Sequence, residues 1–507
     1  MVTIVALIVS SLAGVALGDR LQSIAAYKLN FSHARWTTQN VNYTTVIHPA
    51  KRWGVWEGWG TSLCWWAKAF GQRDDLADLF FTVNFTVFNG TLLPGLGMNI
   101  ARYNAGATGR RPVSDVTMQT SPNIDPSRQI ETFWTDWYSA DQYSSSWNWS
   151  ADANQVAMLL KARDRGADLL DLFSNSPVWW QCSNHNPSGS RNGRKDNLEA
   201  SSRWRHVGYL ATVAQHAAKH WGIEFNSVEP FNEPISEWWK ATGTQEGCHF
   251  SHDSQSLIVA MQREELDRRN LTAMRVAASD ENTYTEALAT WSSFSHGTRS
   301  LVGQVNVHGY EQADGRRDLL REAVGHKRLW NSEYGDSDAT GMSMASNLNL
   351  DFRWLHNTAW VYWQVLDAGG WGLIDSDLTS GGWIGGATVK YFVLAHYSRH
   401  IRPGMTILDG GESNTVAAYD SSARRLVIVS ANYNKEQWIT YDLSKFRVVG
   451  GAVRRWCTNT QGGDRYVEYR DTEIAAGGSS FTSRFAPFTL QTFEVEQVHM
   501  NLDTVFV

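Results

Sequence analysis

The chain has 507 residues, enough for one large domain or two unequal ones. With 19% charged and 42% hydrophobic residues it is globular, which excludes a disordered chain. A net charge of −6 with no basic stripe excludes a nucleic-acid partner, because phosphate binding needs a cationic face.

Residues 1–18 form a short apolar run ending in Ala16-Leu17-Gly18, small residues of the kind a signal peptidase reads. The usual positive n-region is missing apart from the α-amino group, and the run is short for a bilayer span. It reads as a cleaved secretory signal, so a secreted, extracellular protein is expected, with no membrane partner. N-x-[ST] sequons at Asn30, Asn42, Asn84, Asn89, Asn148 and Asn270 fit an exported glycoprotein. The four cysteines are Cys64, Cys182, Cys248 and Cys457. Cys182 and Cys248 fall in loops after predicted strands near one end of the fold, so they are the expected disulfide; Cys64 reads as a buried thiol. No CxxC or HExxH spacing occurs, so neither a metal site nor a cofactor is expected.

From about residue 54 to 402, short apolar runs alternate with helical patterns, as in repeated β/α units. The predicted strands are eight: 53–60, 97–103, 167–173, 225–231, 273–279, 302–308, 328–333 and 359–364. Helices are predicted over 203–221, around 257–261, and over 317–324, 341–355 and 388–400. After Pro403-Gly404 the texture turns to strand-like segments and glycine turns. The expected fold is therefore α/β: a (β/α)8 barrel over 53–402, and a β-sandwich over 403–507 that the segment 19–52 joins. A monomer is expected.

Trp is abundant, with 25 residues, many in doublets such as Trp65-Trp66, Trp179-Trp180 and Trp238-Trp239. Most read as core. Trp65, Trp179 and Trp363 follow or end predicted strands, where an indole face suits the apolar C–H face of a sugar ring.

Two glutamates each end an apolar run: Glu233 in Phe231-Asn232-Glu233-Pro234 and Glu333 in Trp330-Asn331-Ser332-Glu333-Tyr334. Singly, Glu233 reads as a helix-start carboxylate and Glu333 as a strand-end ion pair with Arg102. Together, on a barrel that gathers strand ends around one pocket, they are the carboxylate pair that glycosidic cleavage requires.

Several segments carry a family resemblance. Trp56-Glu57-Gly58-Trp59-Gly60-Thr61-Ser62-Leu63-Cys64-Trp65-Trp66-Ala67 resembles the first-strand motif of glycoside hydrolase family 30. Asn99-Ile100-Ala101-Arg102-Tyr103-Asn104, Asn175-Ser176-Pro177-Val178-Trp179-Trp180, Phe231-Asn232-Glu233-Pro234, Val307-His308-Gly309-Tyr310 and Trp330-Asn331-Ser332-Glu333-Tyr334-Gly335 continue it. Within the family, Gly243-Thr244-Gln245-Glu246-Gly247-Cys248-His249-Phe250 and Ser279-Asp280-Glu281-Asn282-Thr283-Tyr284 are similar to fungal endo-β-1,6-galactanases. The resemblance implies a retaining enzyme, with Glu233 as acid/base, Glu333 as nucleophile and a β-1,6-galactan of arabinogalactan proteins as polysaccharide substrate. It also implies that Asn232 bonds the sugar 2-hydroxyl, that Arg102 and Tyr310 orient the nucleophile, and that His308 and Trp363 line the sugar subsite. A β-1,6-glucanase, a xylanase and a non-catalytic carbohydrate-binding protein stay open as alternatives.

Overall fold

The computed structural model describes residues 42–379 and 382–500, so the signal reading of 1–18 and the sequon at Asn30 lie outside it. Among the described residues, eight parallel strands close into a barrel. In chain order they are Gly58–Ser62, Ile100–Asn104, Leu169–Phe173, Ser227–Glu229, Arg275–Glu281, Val302–His308, Leu329–Tyr334 and Ala359–Tyr362. These strands are buried on nearly all positions of both faces, so their polar residues, such as Arg102, Asn306 and Ser332, lie inside the protein with the apolar ones.

Between the strands lie the helices that cover the barrel. Arg203–His216 continues as a wider turn over Ala217–Trp221, and Met342–Leu350 does the same over Asp351–Leu355. The helix His252–Arg268 begins at Ser251, whose hydroxyl accepts from the Ser254 N–H. Tyr284–Ser293 begins at Thr283 in the same way, with Glu286 in its first turn.

Inside the barrel, Ile100, Trp330, Ala359 and Val361 form an apolar layer. Two residues further along the strands the interior turns polar, with Arg102 after Ile100 and Ser332 after Trp330. Side chains two apart on a strand share a face, so one alternation places an apolar floor beneath a polar site.

The first predicted strand needs correcting. Residues 53–55 belong to His48–Val55, where Val55 and Gly54 pair with Thr406 and Ile407 of the side domain; the barrel strand starts only at Gly58. The side domain is a sandwich of a seven-stranded and a three-stranded sheet among the described residues. The segment before the barrel supplies one strand to each, Asn42–Val46 to the smaller and His48–Val55 to the larger. Ile47, Ile428, Ile439, Tyr441, Phe481 and Phe493 fill the space between them.

The last barrel helix, Val389–Ser398, locks the two units together. The buried ring of His396 bonds Thr492 Oγ1 at 2.8 Å and Thr458 Oγ1 at 2.9 Å, one on each of two side-domain strands.

All four cysteines are buried free thiols, so the expected Cys182–Cys248 disulfide is absent. Each sulfur instead faces backbone carbonyls of its own segment: Cys182 Sγ donates to Pro177 O at 3.5 Å, and Cys248 Sγ to His249 O at 3.4 Å. The five described sequon asparagines, Asn42, Asn84, Asn89, Asn148 and Asn270, are all exposed. Among the described residues no helix is long and apolar enough to cross a membrane.

Candidate active site

Glu233 follows the fourth barrel strand, and Glu333 lies on the seventh. Pro230 and Pro234 bracket the turn that carries Glu233. Its backbone adopts φ 48°, a left-handed conformation that a non-glycine residue holds only when its surroundings fix it. Three bonds fix it here, one of them from the Ser236 N–H to Glu233 O at 3.1 Å. Glu233 N–H donates to Asp280 O at 2.8 Å, and the indole of Trp239 donates to Glu233 O at 2.7 Å. Gly247 makes room for that indole, since a Cβ there would lie 2.0 Å from Trp239 Cε3.

The two carboxyls converge on one imidazole. His308 Nδ1 lies 3.1 Å from Glu233 Oε1 and 3.5 Å from Glu333 Oε1, and its Nε2 faces Asp280 Oδ1 at 3.5 Å. Ligand-type atoms of Glu233, His308 and Glu333 all lie within 4.8 Å of one another. An inverting pair needs about 6.5–9.5 Å between its carboxyls to admit a water, whereas a retaining pair needs about 5–5.5 Å. The spacing fits the retaining arrangement.

Asn282 Nδ2 donates to Glu233 Oε1 at 2.7 Å. Glu333 accepts from Arg102 Nη1 on Oε2 at 2.6 Å and from the Tyr310 hydroxyl on Oε1 at 2.8 Å. Arg102 also donates to Asp280 at 2.7 Å, to Ser62 at 2.9 Å and to Asn232 Oδ1 at 3.1 Å, with its guanidinium 3.4 Å over the Phe173 ring. A buried cation with this many partners is a fixed charge.

The electrostatics follow from burial opposed by these pairs. Burial raises the pKa of Glu333, and Glu233 adds to the rise; His308 and Arg102 pull the other way without cancelling it. Burial disfavours a charged His308, but the Glu333 carboxylate and hydrogen bonds to Asp280 and Glu233 outweigh it, carrying the imidazolium up to about 10. Burial likewise opposes the Asp280 charge, and Arg102 overcomes it, so Asp280 titrates below the usual carboxylate range. Asp171, beneath the site, is pushed up to about 7 by burial and by the charge of Asp280. Glu233, His308 and Glu333 form the group among the described residues that is close enough to hold a cation. Arg102 and the His308 imidazolium already supply positive charge to it.

Above the carboxyls opens a cavity of ≈ 920 Å³, lined by Glu233, Glu333, Asn282 and Tyr310 and walled by Trp65, Trp363, Trp238 and Trp371. The rings of Trp65 and Trp363 meet edge to face at 5.1 Å. Of the residues expected to touch substrate, Trp65, Trp363 and Tyr310 line this cavity. Three others stand behind it. Asn232 is buried with Oδ1 on Arg102, Arg102 serves Glu333, and His308 is buried between the two carboxyls instead of flooring the sugar subsite. Trp179 is 0% exposed and packs under the loop after the second barrel strand, where a Cβ on Gly109 would lie 2.3 Å from its Nε1. It belongs to the core and offers no stacking face. Sequence alone assigns no role to Asn282, Asp280, Trp238 or Trp371. Asn282 and Asp280 do lie in the Ser279–Tyr284 segment that carried the resemblance, and Trp238 in a noted doublet.

The family model for O-Glycosyl hydrolase family 30 matches residues 42–298. The chain is also 54% identical over 462 residues to an endo-beta-1,6-galactanase of Hypocrea rufa, covering 90% of this chain and 95% of that protein. The chain belongs to glycoside hydrolase family 30. Among solved structures, a conserved exported protein of Bacteroides fragilis superposes with a TM-score of 0.73 at 17% identity, over 89% of this chain and 100% of that one. The catalytic domain of a GH30 xylanase C of Talaromyces cellulolyticus gives a TM-score of 0.65 at 18% identity, over 90% and 100%. At such identities the likeness is one of fold, and it is the barrel with its side domain.

Proposed function

We propose that this chain is a secreted, retaining endo-β-1,6-galactanase that cleaves β-1,6-galactan side chains of arabinogalactan proteins. The observation that carries the mechanism is the placing of one oxygen each from Glu233 and Glu333 within 4.8 Å. The substrate reading is supported by the 54% identical relative from Hypocrea rufa.

Glu333, held by Arg102 and Tyr310, attacks the anomeric carbon while protonated Glu233 gives its proton to the leaving oxygen. The bond to the leaving sugar breaks as the ester to Glu333 forms. Once Glu333 is esterified its charge is gone, and Glu233, now a carboxylate, takes a proton from water as the water attacks the same carbon and the ester bond to Glu333 breaks, returning its carboxylate. Two inversions leave the configuration unchanged. In the free enzyme the His308 imidazolium lies between the two carboxyls and holds them in place.

The test is parallel digestion of purified β-1,6-galactan, β-1,6-glucan and xylan, with the anomer of the first product read by proton NMR. A ladder of galacto-oligosaccharides released as the β-anomer is the expected result. Cleavage of glucan or xylan without galactan overturns the substrate, and α-anomeric product overturns the roles of the two glutamates. Binding of galactan with no turnover at any pH establishes the non-catalytic alternative.

A further inference from the structure

We infer that the side domain carries a second carbohydrate site, built on Trp438, which holds a distant stretch of the same neutral polysaccharide; its ligand rests on the galactan reading above. Trp438 lies on Gln437–Asp442, the middle strand of the three-stranded sheet. Gln437, Ile439 and Tyr441 of that strand point into the sandwich, so Trp438 points out of it, with 45% of its surface exposed. An indole on an open sheet face offers a flat apolar platform with a polar edge.

The ring borders two depressions, of ≈ 420 and ≈ 440 Å³. In the first, Arg455 holds Asp471 through two bonds at 2.9 and 2.6 Å and stacks 4.2 Å over Tyr469, whose hydroxyl donates to Asp464 at 2.9 Å. These bonds lock planar donors and acceptors in place before any ligand arrives. In the second, the hydroxyls of Thr440 and Thr482 bond each other at 2.8 Å beside the ring, but the sequon Asn42 lines it too, so the first depression is the one left to polymer when Asn42 is glycosylated. The charges are largely paired, Arg455 with Asp471 and Arg484 with Glu436 at 2.5 Å, and Asp464 leaves one negative charge over. A flat apolar face flanked by fixed polar groups, with no cation left unpaired, fits an uncharged pyranose chain, whose C–H face stacks while its hydroxyls bond at the edges. It does not fit an anion, which would meet a carboxylate beside each arginine.

Among the described residues, neither depression shares a lining residue with the catalytic cavity. Only a chain long enough to reach both sites gains from them, because the second contact raises its effective concentration at the first. The site should therefore act on polymer and leave short substrates alone.

The experiment is affinity electrophoresis of Glu333→Gln protein in gels containing β-1,6-galactan, with and without Trp438→Ala, alongside turnover by the single Trp438→Ala variant. We expect Trp438→Ala to weaken polymer retardation about tenfold while kcat/KM on a short galacto-oligosaccharide stays unchanged, which also reports correct folding. Retardation unaffected by Trp438→Ala overturns the inference. If the unmutated enzyme fails to cleave β-1,6-galactan, the substrate reading falls instead, so the two failures are distinguishable.

Discussion

Arg102 Nη1 donates to Glu333 Oε2 at 2.6 Å inside the barrel, so the nucleophile has a permanent counter-ion that substrate cannot displace. Burial nevertheless leaves Glu333 with a pKa above its ordinary 4.5. The nucleophile must be ionised to attack, so activity is lost as pH falls through that raised value. The acid limb of kcat/KM, which reports the free enzyme, is expected above pH 4.5. Arg102→Gln removes a group that lowers the pKa and so moves this limb to higher pH, with kcat reduced at least about a hundredfold. A pH profile of the variant checks this; an unmoved limb would mean that Arg102 is only a structural cation.

Glu233 and Glu333 should separate cleanly under azide rescue. Glu333→Ala removes the nucleophile, so azide enters from the vacated face and yields the α-glycosyl azide from an activated substrate. Glu233→Ala still forms the glycosyl-enzyme, so azide attacks that intermediate and yields the β-azide. Without azide, each variant is expected to lose kcat by about 10³-fold or more on the polysaccharide. NMR of the azide products is the check, and the same anomer from both variants sinks the assignment.

Asn282 holds Glu233 Oε1 at 2.7 Å from the start of a helix capped by the neighbouring Thr283. Asn282→Ala removes that bond and frees the acid/base to turn. An approximately tenfold loss of kcat is expected on the polysaccharide, whose poor leaving group needs the proton. The loss should shrink on an aryl galactoside, which leaves without one. Equal losses on both substrates would show that Asn282 binds sugar and does not position the acid.

The two glutamates were legible in sequence because a carboxylate ending an apolar strand is costly without a function, and the strands because short apolar-rich runs alternate with helical patterns. His308 was legible as a site residue but not in its place. Its position depends on the register shift after Val307 that sets it opposite Glu333, a feature of two strands and not of one. Trp179 had the right position along its segment and the wrong environment, because the loop that covers it comes from a different β/α unit. Likewise, loop position suggested that Cys182 and Cys248 pair, but not that each sulfur would face carbonyls of its own segment.

The acid/base also depends on a glycine remote from it in sequence. Gly247 lies under the Trp239 ring, and the Trp239 indole donates to Glu233 O at 2.7 Å. A methyl group at 247 would meet ring carbons at 2.0 and 2.3 Å, and Trp239 is too enclosed to move aside freely. Gly247→Ala must therefore displace either the ring or the 243–250 loop. Overpacking of this kind costs about 1–3 kcal/mol, so Tm should fall by several degrees. Displacing the ring also withdraws one of the three bonds that hold Glu233 in its left-handed conformation. Activity at a temperature where the variant is fully folded should then drop, in kcat through Glu233 and in KM as well, since Trp239, Gly243, Thr244 and Gln245 all line the cavity. Calorimetry together with kcat and KM on β-1,6-galactan tests both halves. A stable variant with full activity would show that the loop absorbs the methyl, and that Trp239 does not set the position of Glu233.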